Sequence, residues 1–143
     1  MRVAFKRLDA AASAPQRAHA DDAGYDLRAS EPARLEPGAW AAIGTGIAVA
    51  IPEGFAGLVL PRSGLALRHG ISVVNAPGLI DAGYRGEVRV LLLNNDAATP
   101  FEVAVQDRIA QLVIVRHEAP VLVEAEELEE TARATSGLGS TGR

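Results

Sequence analysis

The chain has 143 residues and a formal net charge of −4, which suits one domain and argues against a dedicated nucleic-acid-binding module. Apolar residues make up 48% of it, enough for a packed core, and the absence of cysteine excludes disulfide frameworks, thiol catalysis and cysteine-ligated zinc or iron–sulfur centres. Thirteen arginines stand against the single Lys6, so a Gly-Lys-Ser/Thr phosphate loop is also excluded.

From the N-terminus, Val3–Leu8 alternates in polarity and carries basic residues, so it reads as a strand and not as a signal peptide. Further strands are predicted at Ala41–Ile51, Ala56–Leu60, Ile71–Val74, Glu87–Leu93, Phe101–Val105, Ile109–Val115 and Val121–Val123. Pro32, Pro37, Pro52, Pro61, Pro77, Pro100 and Pro120 fall between these runs or at their edges. Proline cannot donate to a ladder, so this punctuation favours many short strands over long helices. A turn is expected near Leu65–Arg68 and a hairpin tip at Asp81–Tyr84. The expected fold is all-β: a sandwich, barrel or jelly roll. The longest nearly apolar run, Trp40–Pro52, is shorter than the roughly 20 residues of a spanning helix, so the expectation is a soluble cytoplasmic protein with no membrane partner.

Glu124, Glu126, Glu127, Glu129 and Glu130 crowd one short stretch and read as a solvated linker; without it the remainder sums to +1. A near-neutral body can hold a local arginine-rich anion site. Residues 1–123 are expected to form the body, and 124–143 a linker and a mobile Gly/Ser-rich arm. His19, His69 and His117 are too far apart for a local zinc-ligand pair, and there is no Gly-x-Ser-x-Gly elbow.

Five segments carry possible chemistry, and each has an ordinary alternative. Asp26, in Ala23-Gly24-Tyr25-Asp26-Leu27, would hold an arginine or a metal-bound water, or else be a strand-edge aspartate satisfied by backbone. Arg62, Ser63 and Gly64 at a strand end form either a phosphate clamp or a proline-opened turn. In Gly78-Leu79-Ile80-Asp81-Ala82-Gly83-Tyr84-Arg85-Gly86-Glu87-Val88, Asp81 would sit at the edge of an apolar wall, partly desolvated and suited to act as a general base. Tyr84 would offer a flat face to a ring, and Asn75 an amide for a base edge; the alternatives are turn chemistry and a core-covering tyrosine. By alternation Gln111 shares a face with Ile109 and Val113 and wants a polar partner, phosphate oxygen or solvent. Gly137–Gly142 matches a Gly-x-Gly-x-x-Gly pattern without the strand and helix of a dinucleotide fold. It is either a backbone cradle for phosphate, with Ser140 and Thr141 as hydroxyl donors and Arg133 nearby, or a plain Gly/Ser tail.

These segments occur in one order, from Ala23 to Gly142, that resembles the five motifs of the homotrimeric dUTP pyrophosphatase (dUTPase) family. The resemblance implies a β jelly roll with a flexible C-terminal arm. It further implies a homotrimer whose three sites are built between subunits. One subunit would hold the nucleoside, Arg62–Gly64 and Gln111 of a neighbour the phosphates, and the arm of the third would close the site. The implied reaction is dUTP and water giving dUMP and pyrophosphate, which limits uracil incorporation into DNA and supplies dUMP for dTMP synthesis. Asp81 would activate the water for attack on the α-phosphorus. Arg62, Ser63, Gln111 and Arg133 would stabilise the phosphates together with Mg2+, which the substrate phosphates and water would carry without a direct protein ligand. Asp26 would act one shell further out.

Backbone groups of Leu79, Ile80 and Asp81 and the Asn75 amide would read uracil, Tyr84 would exclude a 2′-hydroxyl, and Arg89 would line the neighbouring wall. Leu138, Gly139, Ser140 and Thr141 belong to the implied arm, where Leu138 replaces the aromatic that the family usually stacks on uracil. Ala134 and Gln106 replace two glycines common in the family. Two other readings of the scaffold are a dCTP deaminase-related enzyme and a non-catalytic nucleotide-sensing module. The first would release ammonia from dCTP.

Overall fold

Prolines and glycines divide the chain into short strands, and every pairing between named strands is antiparallel. The computed structural model describes residues 1–131 and Ala134. Its strands are β1 (Ala4–Arg7), β2 (Tyr25–Arg28), β3 (Ala33–Leu35), β4 (Trp40–Gly44), β5 (Ile47–Ala50), β6 (Phe55–Leu60), β7 (Ile71–Val73), β8 (Gly78–Ile80), β9 (Arg89–Asn94), β10 (Phe101–Val103) and β11 (Arg108–Arg116), with one helix, α1 (Ser63–His69), among the described residues.

A sheet of order β2-β11-β6-β8 and a sheet of order β4-β9-β7 contribute to one core, flanked by the pairs β1-β5 and β10-β3. Leu27, Val59, Ile80 and Leu112 come from the first sheet, and Ile43, Ile71, Val90 and Leu92 from the second. Burial of these aliphatic side chains is the main favourable term, each worth roughly 1.5–3 kcal/mol. No named strand pairs with its neighbour in sequence, and these crossing connections make the fold the expected jelly roll. No helix among the described residues is long and apolar enough to cross a membrane.

Several elements differ from expectation. The run Ala41–Ile51 breaks at Thr45–Gly46 into β4 and β5, because Gly46 adopts a left-handed φ of 65°. β2, β3 and β8 are additional strands. The segment from Ile80 to Arg89 is not a hairpin: β8 pairs with β6, whereas β9 pairs with β4 and β7, so the chain crosses from one sheet to the other. Val121–Val123 is not a strand here; among the described residues these three pair with nothing, and they are exposed.

The expected turn at Leu65–Arg68 is the helix α1. Arg62 stands before it in extended conformation, and Gly70 ends it with a left-handed φ of 64° and its N–H on the Ala66 carbonyl. Gln106 has a φ of 75°, which explains why glycine suits that turn; its side chain compensates by bonding Ser13 Oγ and the Ala11 carbonyl.

Candidate active site

Strand register assembles the first cleft. Gln111 pairs with Asp26 on one side and with Leu60 on the other, so the three residues form a row across one face of the four-stranded sheet. Pro61 then ends β6 and puts Arg62, Ser63 and Gly64 at the corner leading into α1. The resulting cleft of about 470 Å³ is lined by Asp26, Leu60, Arg62, Ser63, Gly64 and Gln111, among others.

Asp26 holds two arginines. Its Oδ1 lies 3.2 Å from Arg62 Nε, and its Oδ2 3.2 Å from Arg108 Nη1. Arg62 Nη1 also donates to the Arg108 carbonyl at 3.1 Å. The group of two guanidiniums and one carboxylate carries a net positive charge and suits an anion. Asp26 is thus in contact with two arginines.

Gln111 Nε2 donates to the Pro61 carbonyl at 3.0 Å, and among the described residues its second N–H has no acceptor. Gly24 permits this placement, because a Cβ there would collide with Gln111 Oε1. Gln111 faces the cleft with Val113 but does not share a face with Ile109. A register shift between Arg108 and Ala110 breaks the alternation and sends both Ile109 and Ala110 into the core. Asp22, on the rim, accepts the backbone N–H of His19, which holds its carboxyl below the ordinary value.

A second cleft of about 210 Å³ is lined by Val59, Asn75, Ile80, Tyr84, Glu87 and Arg89, with neighbouring residues. Tyr84 Oη donates to the Glu87 carbonyl at 2.9 Å. Arg89 bonds Glu31 at 2.9 Å, Glu87 at 3.1 Å and the Ala42 carbonyl at 2.6 Å. Leu79 points away: it is 64% exposed, whereas Ile80 is buried. Only the backbone of Leu79 is left to serve this slot.

Asp81 follows directly after β8 and is exposed. Among the described residues no apolar wall covers Asp81 to desolvate it, because the backbone leaves the sheet at this residue. The Asp81 carbonyl accepts the Tyr84 N–H at 3.0 Å, and among the described residues no hydrogen bond or ion pair engages its carboxylate.

Val59 lines the second cleft and Leu60 the first. Consecutive strand residues point to opposite faces, so the two clefts open from opposite sides of β6. The structure thus brings together Asp26, Arg62, Ser63, Gly64 and Gln111, and separately Asn75, Ile80, Tyr84 and Arg89, but does not join the two groups. Arg133, Leu138, Gly139, Ser140 and Thr141 lie outside the described residues. Sequence reasoning missed Arg108, Glu31 and Glu87. The two-residue spacing of Glu87 and Arg89 at the entry to β9 is a usable signal; the other two depend on remote register.

As for a metal, both Asp26 oxygens already face guanidiniums, and no group of three potential ligands occurs among the described residues. This donor set fits a divalent ion that arrives with its own phosphate oxygens and does not amount to a protein cage.

A dUTPase family model matches residues 10–142. The deoxyuridine 5'-triphosphate nucleotidohydrolase of Rhodococcus erythropolis is 54% identical over 140 residues, covering 98% of this chain and 85% of the relative. That of Thermobifida fusca is 54% identical over 142 residues, covering 99% and 79%. Among solved structures, a Staphylococcus bacteriophage 80alpha dUTPase mutant with dUpNHpp superimposes with a TM-score of 0.92 at 32% identity, covering 99% of each chain. A mutant dUTPase from phage phi11 of S. aureus, described as coordinating a structural Mg(II) ion, gives a TM-score of 0.84 at 32% identity, covering 91% of this chain and 100% of that one.

Proposed function

As a member of the dUTPase family, this chain hydrolyses dUTP to dUMP and pyrophosphate, and we propose that it does so in sites shared between subunits of a homotrimer. The observation that carries this reading is the placement of the two clefts on opposite faces of β6. A nucleotide that uses both must meet one cleft from each of two chains. Three-fold repetition of such a head-to-tail contact closes into a ring.

In this reading the nucleoside enters the second cleft. The Asn75 amide and the backbone of Leu79–Asp81 bond the uracil edge, Tyr84 lies against the deoxyribose, and Arg89 walls the far side. The triphosphate lies in the neighbour's first cleft. Arg62 donates to its oxygens with the Ser63 hydroxyl, the Gly64 backbone and the second Gln111 N–H. Asp26 aims Arg62 and keeps it apart from Arg108. Asp81 takes a proton from a water that attacks the α-phosphorus in line, and pyrophosphate leaves with the P–O electron pair. Mg2+ bound with the triphosphate would neutralise charge on its oxygens beside Arg62, Ser63 and Gln111. Preorganised donors then act on the charge that develops.

Docking of the second chain supplies the cover that Asp81 lacks on its own. Residues 1–123 act as the body and 124–143 as the arm, with Arg133, Leu138, Gly139, Ser140 and Thr141 closing over the substrate. The work is done in the cytoplasm.

The test is pyrophosphate release from dUTP, dTTP, dCTP and UTP, with and without Mg2+, in water enriched in heavy oxygen. The expected result is turnover of dUTP far faster than of dTTP, dCTP or UTP, stimulated by Mg2+, with the label in dUMP. Label in pyrophosphate would refute attack at the α-phosphorus, and ammonia from dCTP would refute the assigned activity.

A further inference from the structure

We propose that Gly86 is a positioning residue for sugar discrimination: its bare α-carbon lets the Tyr84 ring lie against the backbone and so fixes one wall of the nucleoside slot. The inference rests on the role given above to Tyr84 and carries it one residue further.

Backbone conformation does not demand glycine here. Gly38, Gly46, Gly54 and Gly70 adopt a left-handed φ, but Gly86 does not. What requires glycine is the ring. A Cβ at position 86 would stand 2.5 Å from Tyr84 Oη, 2.7 Å from Cζ and 3.0 Å from Cε2. These separations are inside van der Waals contact, so any side chain at this position displaces the tyrosine.

The ring is held in this position by its hydroxyl, so displacing it breaks a hydrogen bond. Tyr84 Oη donates to the Glu87 carbonyl, and Glu87 is itself anchored. The Glu87 carboxylate accepts the Gly46 N–H at 2.8 Å and pairs with Arg89 at 3.1 Å, and Arg89 bonds the Ala42 carbonyl on β4. Tyr84 therefore lies between a glycine and a carbonyl whose residue is tied to the second sheet; it is 45% exposed and lines the slot. Gly83, in the same loop, provides the internal contrast: a Cβ there would meet nothing within 4 Å.

The experiment compares kcat/KM for dUTP and UTP in the full-length enzyme and in Gly86→Ala, Gly83→Ala, Tyr84→Ala and the Gly86→Ala/Tyr84→Ala double variant. The dUTP/UTP ratio is expected to fall about tenfold or more in Gly86→Ala, the scale of one misplaced contact in a pocket. It should hold in Gly83→Ala. In the Tyr84→Ala background, Gly86→Ala should add nothing, since no ring remains to collide with.

An unchanged ratio in Gly86→Ala, or an equal fall from Gly86→Ala with and without the ring, overturns the proposal. A ratio that falls in Tyr84→Ala but not in Gly86→Ala overturns the proposal alone. A ratio indifferent to Tyr84→Ala removes the assigned role of Tyr84 and the proposal with it. Should Gly86→Ala fail to fold, recovery of folded protein in the double variant supports the clash; failure of both overturns it.

Discussion

Replacing Asp26 by asparagine separates the two things its carboxylate can do. Asp26 is largely buried, with 17% of its side chain exposed, and it pairs with Arg62 (23%) and Arg108 (43%) at 3.2 Å each. Exposed pairs contribute about 0.2–1 kcal/mol, whereas breaking a buried pair costs about 3–5 kcal/mol. These half-covered pairs fall between, and two guanidiniums left facing each other add repulsion, so Asp26→Asn should cost about 2 kcal/mol of stability. For a chain of this length that lowers Tm by about 6–10 °C at fixed protein concentration.

The effect on turnover has a different origin. If Asp26 aims Arg62 at the phosphates, kcat falls by about a hundredfold, the scale of one lost preorganised donor. The lost negative charge makes the cleft more positive, so KM for dUTP should stay level or fall. Pyrophosphate release and differential scanning calorimetry measure the two effects independently. A lowered Tm with wild-type kcat would refute the aiming role and leave Asp26 as a folding residue.

Asp81→Asn should lower kcat by about 10²–10⁴, the range of a lost general base, while calorimetric affinity for a non-hydrolysable dUTP analogue holds; near-wild-type kcat would dismiss Asp81 as the base. Gly24→Ala should push the Gln111 amide off its place and raise KM for dUTP by roughly tenfold through one weakened charge-assisted hydrogen bond, with affinity for deoxyuridine unchanged; equal losses for both ligands would contradict a phosphate role for Gln111. Leu138→Phe should lower KM or raise kcat/KM, since base–aromatic stacking is worth about 1–3 kcal/mol and leucine recovers only part of it. No change in either constant would exclude stacking at this position.

The strands that prolines bracket were legible because proline acts locally. Ala56–Leu60 and Ile109–Val115 appear as β6 and β11 with small extensions. β2 and β3 were not legible as strands. Tyr25-Asp26-Leu27-Arg28 and Ala33-Arg34-Leu35 are short and carry charge, and only pairing with β11 and β10 makes them strands. The hairpin expected at Asp81–Tyr84 failed for the same reason. Turn residues between apolar runs do not reveal that β8 finds β6 while β9 finds β4 and β7.

At the site, residue types in the motifs pointed to Arg62, Ser63 and Gln111, and these do share one cleft. Arg108 looked like any solvated charge, because its partner Asp26 is distant in sequence and reaches it only through the folded geometry. The separation of the phosphate and nucleoside residues onto opposite faces was hidden for a related reason. It depends on the phase of β6, where the neighbours Val59 and Leu60 read as one apolar run.

Subunit complementation tests the shared site most directly. Asp81→Asn chains lack the base beside the nucleoside slot, and Arg62→Ala chains lack the phosphate clamp; each alone should be nearly inactive. Unfolded together in equal amounts and refolded, they should regain about a quarter of the wild-type rate, because each site then draws one part independently from each of two chains. No recovery at any mixing ratio, with both chains folded and co-assembled, would contradict a site built from two copies.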